Sequence, residues 1–441
     1  MPDEWREIRL GDLVARGALA ISDGYRVRNE ELGPEGIPFV RGGDIGDGWI
    51  NTETTDHIRP EFAGRVRAKL AHPDDIAFIT KGTVGRAGRI RRGQPPVVFA
   101  PQVAYWRVLA PEVLDSRFLF YLIRSREFQS ALDGVKTHGS MVADYVSISQ
   151  QLDFAFIFPD VKSQRAIGYF LGTLDDKIEL NRRMNETLEV MARAIFQSWF
   201  VDFDPVRAKI EGRDPGLPQA LADRFPDSFE DSELGEIPQG WRVGAVKDVA
   251  EINARTLSAA DALEAVDYIE ISEVMRGEIG HTARYDRGAE PSRARRRLEH
   301  GDSVLSTVRP DRGAHFLCLN PPETLIASTG FTVLSPRDSN WAFLYSALTQ
   351  RQVGEELGRL ADGGAYPAVR PEAIGALPLI IPTSRIVTTF QAMAGPLFER
   401  AHRNRAQAKT LVALRDTLLP MLISGELRVK DGEGLLAEAT T

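Results

Sequence analysis

The chain has 441 residues, 43% of them apolar and 26% charged, with a formal net charge of −8; that is room for two or three domains of ordinary globular composition. The lone Cys318 excludes an internal disulfide framework and fits a reducing cytosol, no apolar run approaches the ~20 residues that span a bilayer, and the acidic opening MPDEWREIRLGDL is not a signal peptide. The expectation is a cytoplasmic protein without a membrane role; its acidity argues against a simple nucleic-acid coat protein but leaves local basic patches open.

Residues 1–158 read as a first globular unit. Short β-like runs broken by glycine and proline recur at Ile37–Arg41, Asp75–Ile79, Pro96–Ala100 and Val103–Val108. Arg117–Leu132 reads as one helix, and Leu152–Phe158 as a strand leading out. The mixture predicts an α/β or α+β unit.

Residues 159–203 read as one long helix. Steps of four and three from Ile167 give Leu171, Leu174, Ile178, Asn181, Asn185, Leu188, Ala192, Ile195 and Trp199, an apolar seam with two asparagines. About forty residues at ~1.5 Å each make a rod of roughly 60 Å. Such a rod cannot bury its stripe against itself and needs a second one.

Residues 204–232, rich in proline, aspartate and glycine, read as a surface linker with a short helix near Pro218–Asp223. Residues 233–382 then repeat the first unit. Trp241-Arg242-Val243 echoes Trp5-Arg6-Glu7, Tyr268–Ile271 stands for Phe39–Arg41, Gly301–Thr307 for Asp74–Thr80, and Phe343-Leu344-Tyr345 for Leu119-Phe120-Tyr121. Residues 383–425 form the second rod: adding 223 to the seam gives Phe390, Ala394, Leu397, Ala401, Asn404, Ala408, Leu411, Arg415, Leu418 and Leu422. Asn404 matches Asn181, and a polar residue on an apolar seam sets register. Residues 426–441 are a tail.

A duplicated pair of halves predicts a pseudo-twofold tandem repeat with antiparallel rods. A parallel pair would make the second unit and linker span ~60 Å, whereas a domain of about 150 residues has a radius of gyration of only ~15 Å. The expected architecture is therefore two globular heads separated by a long antiparallel two-helix coiled coil.

Basic residues cluster at corresponding places in both heads: Lys81, Arg86, Arg89, Arg91 and Arg92 in one, Arg293, Arg295, Arg296, Arg297, Arg309 and Arg312 in the other. Arginine and lysine in glycine-rich loops hold phosphates or read base edges. Catalytic readings fail. Asn320-Pro321-Pro322-Glu323 lacks the aromatic that a base-flipping methyltransferase stacks on its target, and there is no Gly-Lys-Ser/Thr phosphate loop. Seven histidines and one cysteine show no metal spacing. Cys318, between two leucines, reads as a buried strand residue. Asp44 and Asp47 read as a glycine turn.

The segments LGTLDDKIELNRRMNETLEVMARAIFQSWF, SELGEIPQGW and LLPMLISGELRV give the chain a resemblance to the specificity subunit of type I restriction-modification systems, over nearly its whole length. That resemblance implies two target-recognition domains, each reading half of a split double-stranded DNA sequence, and helices that set the spacer. It implies docking of two methyltransferase subunits and of restriction subunits, no catalytic residues and no cofactor in this chain, and S-adenosylmethionine in the partner methyltransferase. The expected DNA-binding residues are Lys81, Thr83, Arg86, Arg89, His138, Ser140 and Tyr145 in the first head, and Arg309, Arg312, His315 and Tyr366 in the second. Asn181 and Asn404 are the expected register residues. Where many relatives carry glutamine and asparagine after Gly139-Ser140, this chain has Met141 and Val142. The alternative the residues leave open is a two-headed scaffold that grips proteins.

Overall fold

The computed structural model describes residues 5–135, 145–364 and 366–429. The chain divides into two compact units, Met1–Leu180 with Gln407–Thr441, and Asn181–Ala406. Both divisions fall within long helices, α1 (Val161–Phe200) and α2 (Ser384–Ile423), of 40 residues each. Asp160 starts α1 by accepting from the Lys162 and Ser163 amides at 2.8 and 3.2 Å. α2 runs on through Pro396 and Pro420, each of which removes one helical hydrogen bond.

In the first unit, Arg6–Arg9 pairs antiparallel with Ala155–Phe158. A four-stranded antiparallel sheet follows the order Leu19–Asp23, Val103–Val108, Ile76–Ile79, Ala87–Arg89. A second sheet contains a parallel pair, Ile37–Val40 beside Val97–Phe99. Phe78, Trp106 and Phe128 meet edge to face at 5.3–5.7 Å in the core, and the Trp106 indole donates to Gln151 Oε1 at 2.9 Å. The predicted helix over Arg117–Leu132 is two, Ser116–Ile123 and Arg126–Val135. Ser125 breaks the run; its hydroxyl accepts from the Phe128 amide at 3.4 Å. The first half of α1 buries Ile167, Leu171 and Leu174 in a cluster shared with Leu418 and Leu422 of α2. Helix Ser116–Ile123 lies so close to α1 that a Cβ on Gly168 would stand 2.8 Å from the Phe118 amide.

The second unit repeats this strand plan. Arg242–Ala245 pairs antiparallel with Pro378–Ile381. Its antiparallel sheet has the order Ala250–Ile252, Phe331–Pro336, Ser303–Ser306, His315–Leu317, and Ala265–Ile269 runs parallel to Leu325–Ser328 in a separate sheet. Within this unit α1 and α2 run in opposite directions: Asn185 meets Asn404, whereas Phe196, eleven residues further along α1, meets Phe390, fourteen residues earlier on α2. Phe196, Phe200 and Phe390 stack with Phe343 and Trp241 into an aromatic core. Sequence periodicity singled out Asn181 and Asn404. Both are buried, but Asn404 Nδ2 donates to Asn185 Oδ1 at 3.0 Å, one turn beyond Asn181.

The segment expected as a surface linker is packed instead. It forms helices Asp204–Ile210 and Gln219–Ala222, and Phe229–Ser232 pairs with Gly235–Pro238. Val206 and Phe225 are buried against Trp199 and Trp241. Scattered single apolar residues carry that packing, so no periodicity announced it.

Candidate nucleic-acid interface

In the first unit a tight loop joins strand Ile76–Ile79 to strand Ala87–Arg89. Its closure rests on Ile79 N donating to Arg86 O at 3.0 Å and Gly85 N donating to Ile79 O at 2.9 Å. Gly85 sits at φ +96, and a Cβ there would approach Leu132 Cδ1 to 2.9 Å, so only glycine fits. The loop places Lys81, Thr83 and Arg86 in solvent. Beside it runs the segment leading into helix Ile148–Asp153: Lys81 bridges to Tyr145, and Val146 N donates to Thr80 O at 3.0 Å. Tyr145 is 52% exposed.

The second unit builds the same pair of segments. The loop after Ser303–Ser306 carries Arg309 at φ +48, and Val308 bridges to Ala368. Arg309 N donates to Pro367 O at 2.8 Å, and the Arg309 guanidinium lies 4.9 Å from the centre of the Tyr366 ring. Tyr366 is 73% exposed, and Arg312 is also exposed. Each unit thus presents one hairpin loop and one later segment together, with cationic and aromatic side chains at the surface.

Comparison with known proteins gives these loops a context. The family described as type I restriction modification DNA specificity domain matches residues 2–190. The chain is 27% identical over 360 residues to the HindI specificity subunit of a type I restriction enzyme from Haemophilus influenzae, covering 70% of this chain and 77% of that protein. It is 22% identical over 403 residues to the MjaIX specificity subunit from Methanocaldococcus jannaschii, covering 88% of each. Residues 2–190 thus match the type I restriction modification DNA specificity domain, and the chain is similar over most of its length to specificity subunits of type I restriction enzymes. In fold, the chain is similar to the crystal structure of the type I S subunit from M. genitalium, with a TM-score of 0.57 at 14% identity over 96% of this chain and 97% of that one.

Within the chain the basic clusters divide sharply. Lys81 and Arg86 have no ion pair among the described residues. Arg89, expected at the DNA surface, is instead half-buried: it binds Asp74 at 3.1 Å and lies 5.9 Å from the Phe120 ring centre, and burial lowers its pKa. Arg92 also binds Asp74, at 3.1 Å, and Arg91 binds Glu179 at 3.0 Å. Arg295 reaches Glu290 at 3.8 Å, and Arg297 is held by Asp261. Acids therefore neutralise Arg89, Arg91 and Arg92 in the first run and Arg295 and Arg297 in the second. His138 and Ser140 lie outside the described residues.

His315 is displaced from the expected surface role. It is partly buried against Tyr345, with Nδ1 3.1 Å from the phenol oxygen, and lines a cavity of about 570 Å³. Burial, with Arg193 and Arg276 nearby, lowers its pKa to about 4. Arg193 and Arg276 line the same cavity and escaped the sequence reading; the one hint was the Arg276-Gly277 pair, a turn signal with an unusual first residue. Asn320 sits at φ +46 in a turn closed by Leu325 N donating to Pro322 O at 3.0 Å, and Cys318 is buried, which raises its thiol pKa. Asp44 accepts from the Arg41 amide at 2.8 Å, and Asp47 pairs with Arg124 at 3.0 Å.

Proposed function

We propose that the chain is the non-catalytic DNA-specificity subunit of a type I restriction-modification complex, with each unit reading one half of a split duplex sequence. The observation that carries this reading is the recurrence of one loop pair in both units: Lys81 beside Tyr145, and Arg309 beside Tyr366. In this reading Lys81, Thr83, Arg86, Arg309 and Arg312 hold phosphates or read base edges, and the tyrosines brace the loops. The units act as two target-recognition domains, and α1 and α2 pair antiparallel as a coiled-coil spacer between them. Half-sites on one DNA face lie ~34–36 Å apart, within reach of heads carried on helices of roughly 60 Å. Two methyltransferase subunits dock on the helical region, restriction subunits join them, and S-adenosylmethionine belongs to the methyltransferase. The assembly is placed in the cytoplasm, and no helix among the described residues is long and apolar enough to cross a membrane.

Methylome sequencing of a host carrying this chain and its methyltransferase tests the proposal. The expected product is a split motif. Exchanging residues 233–382 for those of a relative should change one half of the motif and leave the other. An undivided motif, or a change in both halves, contradicts it.

A further inference from the structure

The cavity in the second unit is unlike the loop surface. Its walls come from α1, α2, helix Trp341–Leu348 and the hairpin Val274–Ile279, and its volume of about 570 Å³ suits a small molecule. Its charge is cationic and unbalanced. Arg405 is neutralised by Glu189, and Arg351 binds Glu355 at 2.8 Å. Arg193 and Arg276 have no ion pair among the described residues, and both stand near enough to His315 to disfavour its protonation.

The chain takes on strain to put Arg276 there. Strands Val274–Met275 and Glu278–Ile279 are joined by two residues, Arg276 and Gly277, with φ of +43 and +90. Both central residues of this turn need positive φ, which suits asparagine or glycine and not arginine. Arg276 N donates to Gly313 O at 2.9 Å and Gly277 N donates to His315 O at 2.7 Å, so the turn is locked to the cavity wall. A second polar group waits unpaired. Ser346 is 4% exposed, and its hydroxyl, on a residue lining the cavity, has no hydrogen-bond partner among the described residues. The buried Tyr345 phenol lies 3.1 Å from His315 Nδ1, and one of the two donates to the other. Tyr345 and Phe398 supply aromatic walls, with ring centres 5.6 Å apart.

We infer that this cavity binds a phosphate-bearing small molecule of about mononucleotide size, with Arg193 and Arg276 on the phosphate and Ser346 and His315 as further hydrogen-bonding groups. The cavity adjoins the loop that carries Arg309 and Arg312, since Gly313 lines it, but its test by AMP binding does not depend on DNA reading.

The probe is AMP, titrated calorimetrically into the full chain, with adenosine and inorganic phosphate as companions. AMP should bind saturably at one site and adenosine at least about tenfold more weakly, because charge-assisted bonds to the phosphate are missing. Arg193→Ala and Arg276→Asn should each weaken AMP by at least about tenfold. Arg276→Asn should keep or raise the melting temperature, since asparagine suits the turn, which separates lost binding from lost fold. Absence of saturable binding by AMP and phosphate at millimolar concentration overturns the inference, as does equal affinity for adenosine and AMP. Displacement of AMP by duplex DNA, with weaker DNA binding in Arg193→Ala, also overturns it by making the phosphate the polymer's.

Discussion

Asn404 on α2 donates its side-chain amide to Asn185 on α1 at 3.0 Å. Each amide is buried, 2% exposed at Asn404 and 8% at Asn185. Two such groups stabilise little net when paired, but either one alone is costly. Asn185→Leu should therefore destabilise the second unit by about 1–3 kcal/mol, by stranding Asn404. The double variant Asn185→Leu/Asn404→Leu should recover most of that loss. Urea unfolding of the three variants decides it; additive losses contradict a pairing role.

Asp175 gathers three partners in the first unit. Arg415 Nη1 reaches it at 2.7 Å, the Tyr121 phenol donates to it at 2.7 Å, and Arg124 lies at 3.4 Å. Burial, then the Asp175 charge, raises the Tyr121 pKa above the usual phenol range, so the phenol stays a donor. Arg415 occupies a seam position and is 7% exposed. Asp175→Ala should cost about 1–3 kcal/mol, because the Tyr121 phenol loses its acceptor and Arg415 keeps only Asp416. Adding Arg415→Leu should restore part of it in a denaturant titration.

Lys81 and Arg86 differ from Arg89 in a way binding assays can read. Lys81→Ala or Arg86→Ala should lower DNA affinity of the assembled complex while leaving the melting temperature unchanged. If each holds one phosphate, the slope of log K against log salt should fall by about 0.9 per residue. Arg89→Ala should instead lower stability, since Arg89 is committed to Asp74 and Phe120. An unchanged salt slope in both surface variants would remove these residues from the interface.

His315 gives the second unit a pH signature. Its pKa is lowered from 6.5 to about 4, so between those values the unfolded chain takes up a proton that the folded chain does not. The stability this group contributes is complete above about pH 6.5 and is lost as the pH falls through about 4. Relative to His315→Asn, the wild-type chain should lose additional melting temperature across that window. Parallel curves for the two proteins would show that His315 stays neutral in neither state or both.

The seam from Ile167 to Trp199, its echo from Phe390 to Leu422 and the repeated strand segments were legible in the chain itself. Amphipathic periodicity is local, and burial of one stripe follows from it. Charge partnership is not local. Asp74 precedes Arg89 and Arg92 by 15 and 18 residues, and only the turn between their strands brings it to both. The same holds for Asn185, brought to Asn404 by the register of two helices more than 200 residues apart in sequence. It holds also for His315, which a surface loop pattern placed outside and the packing of Tyr345 drew inward. Tertiary structure decided which cations remain exposed and unpaired and which polar groups converge on a cavity, because desolvation and Coulomb attraction act through space and not along the chain.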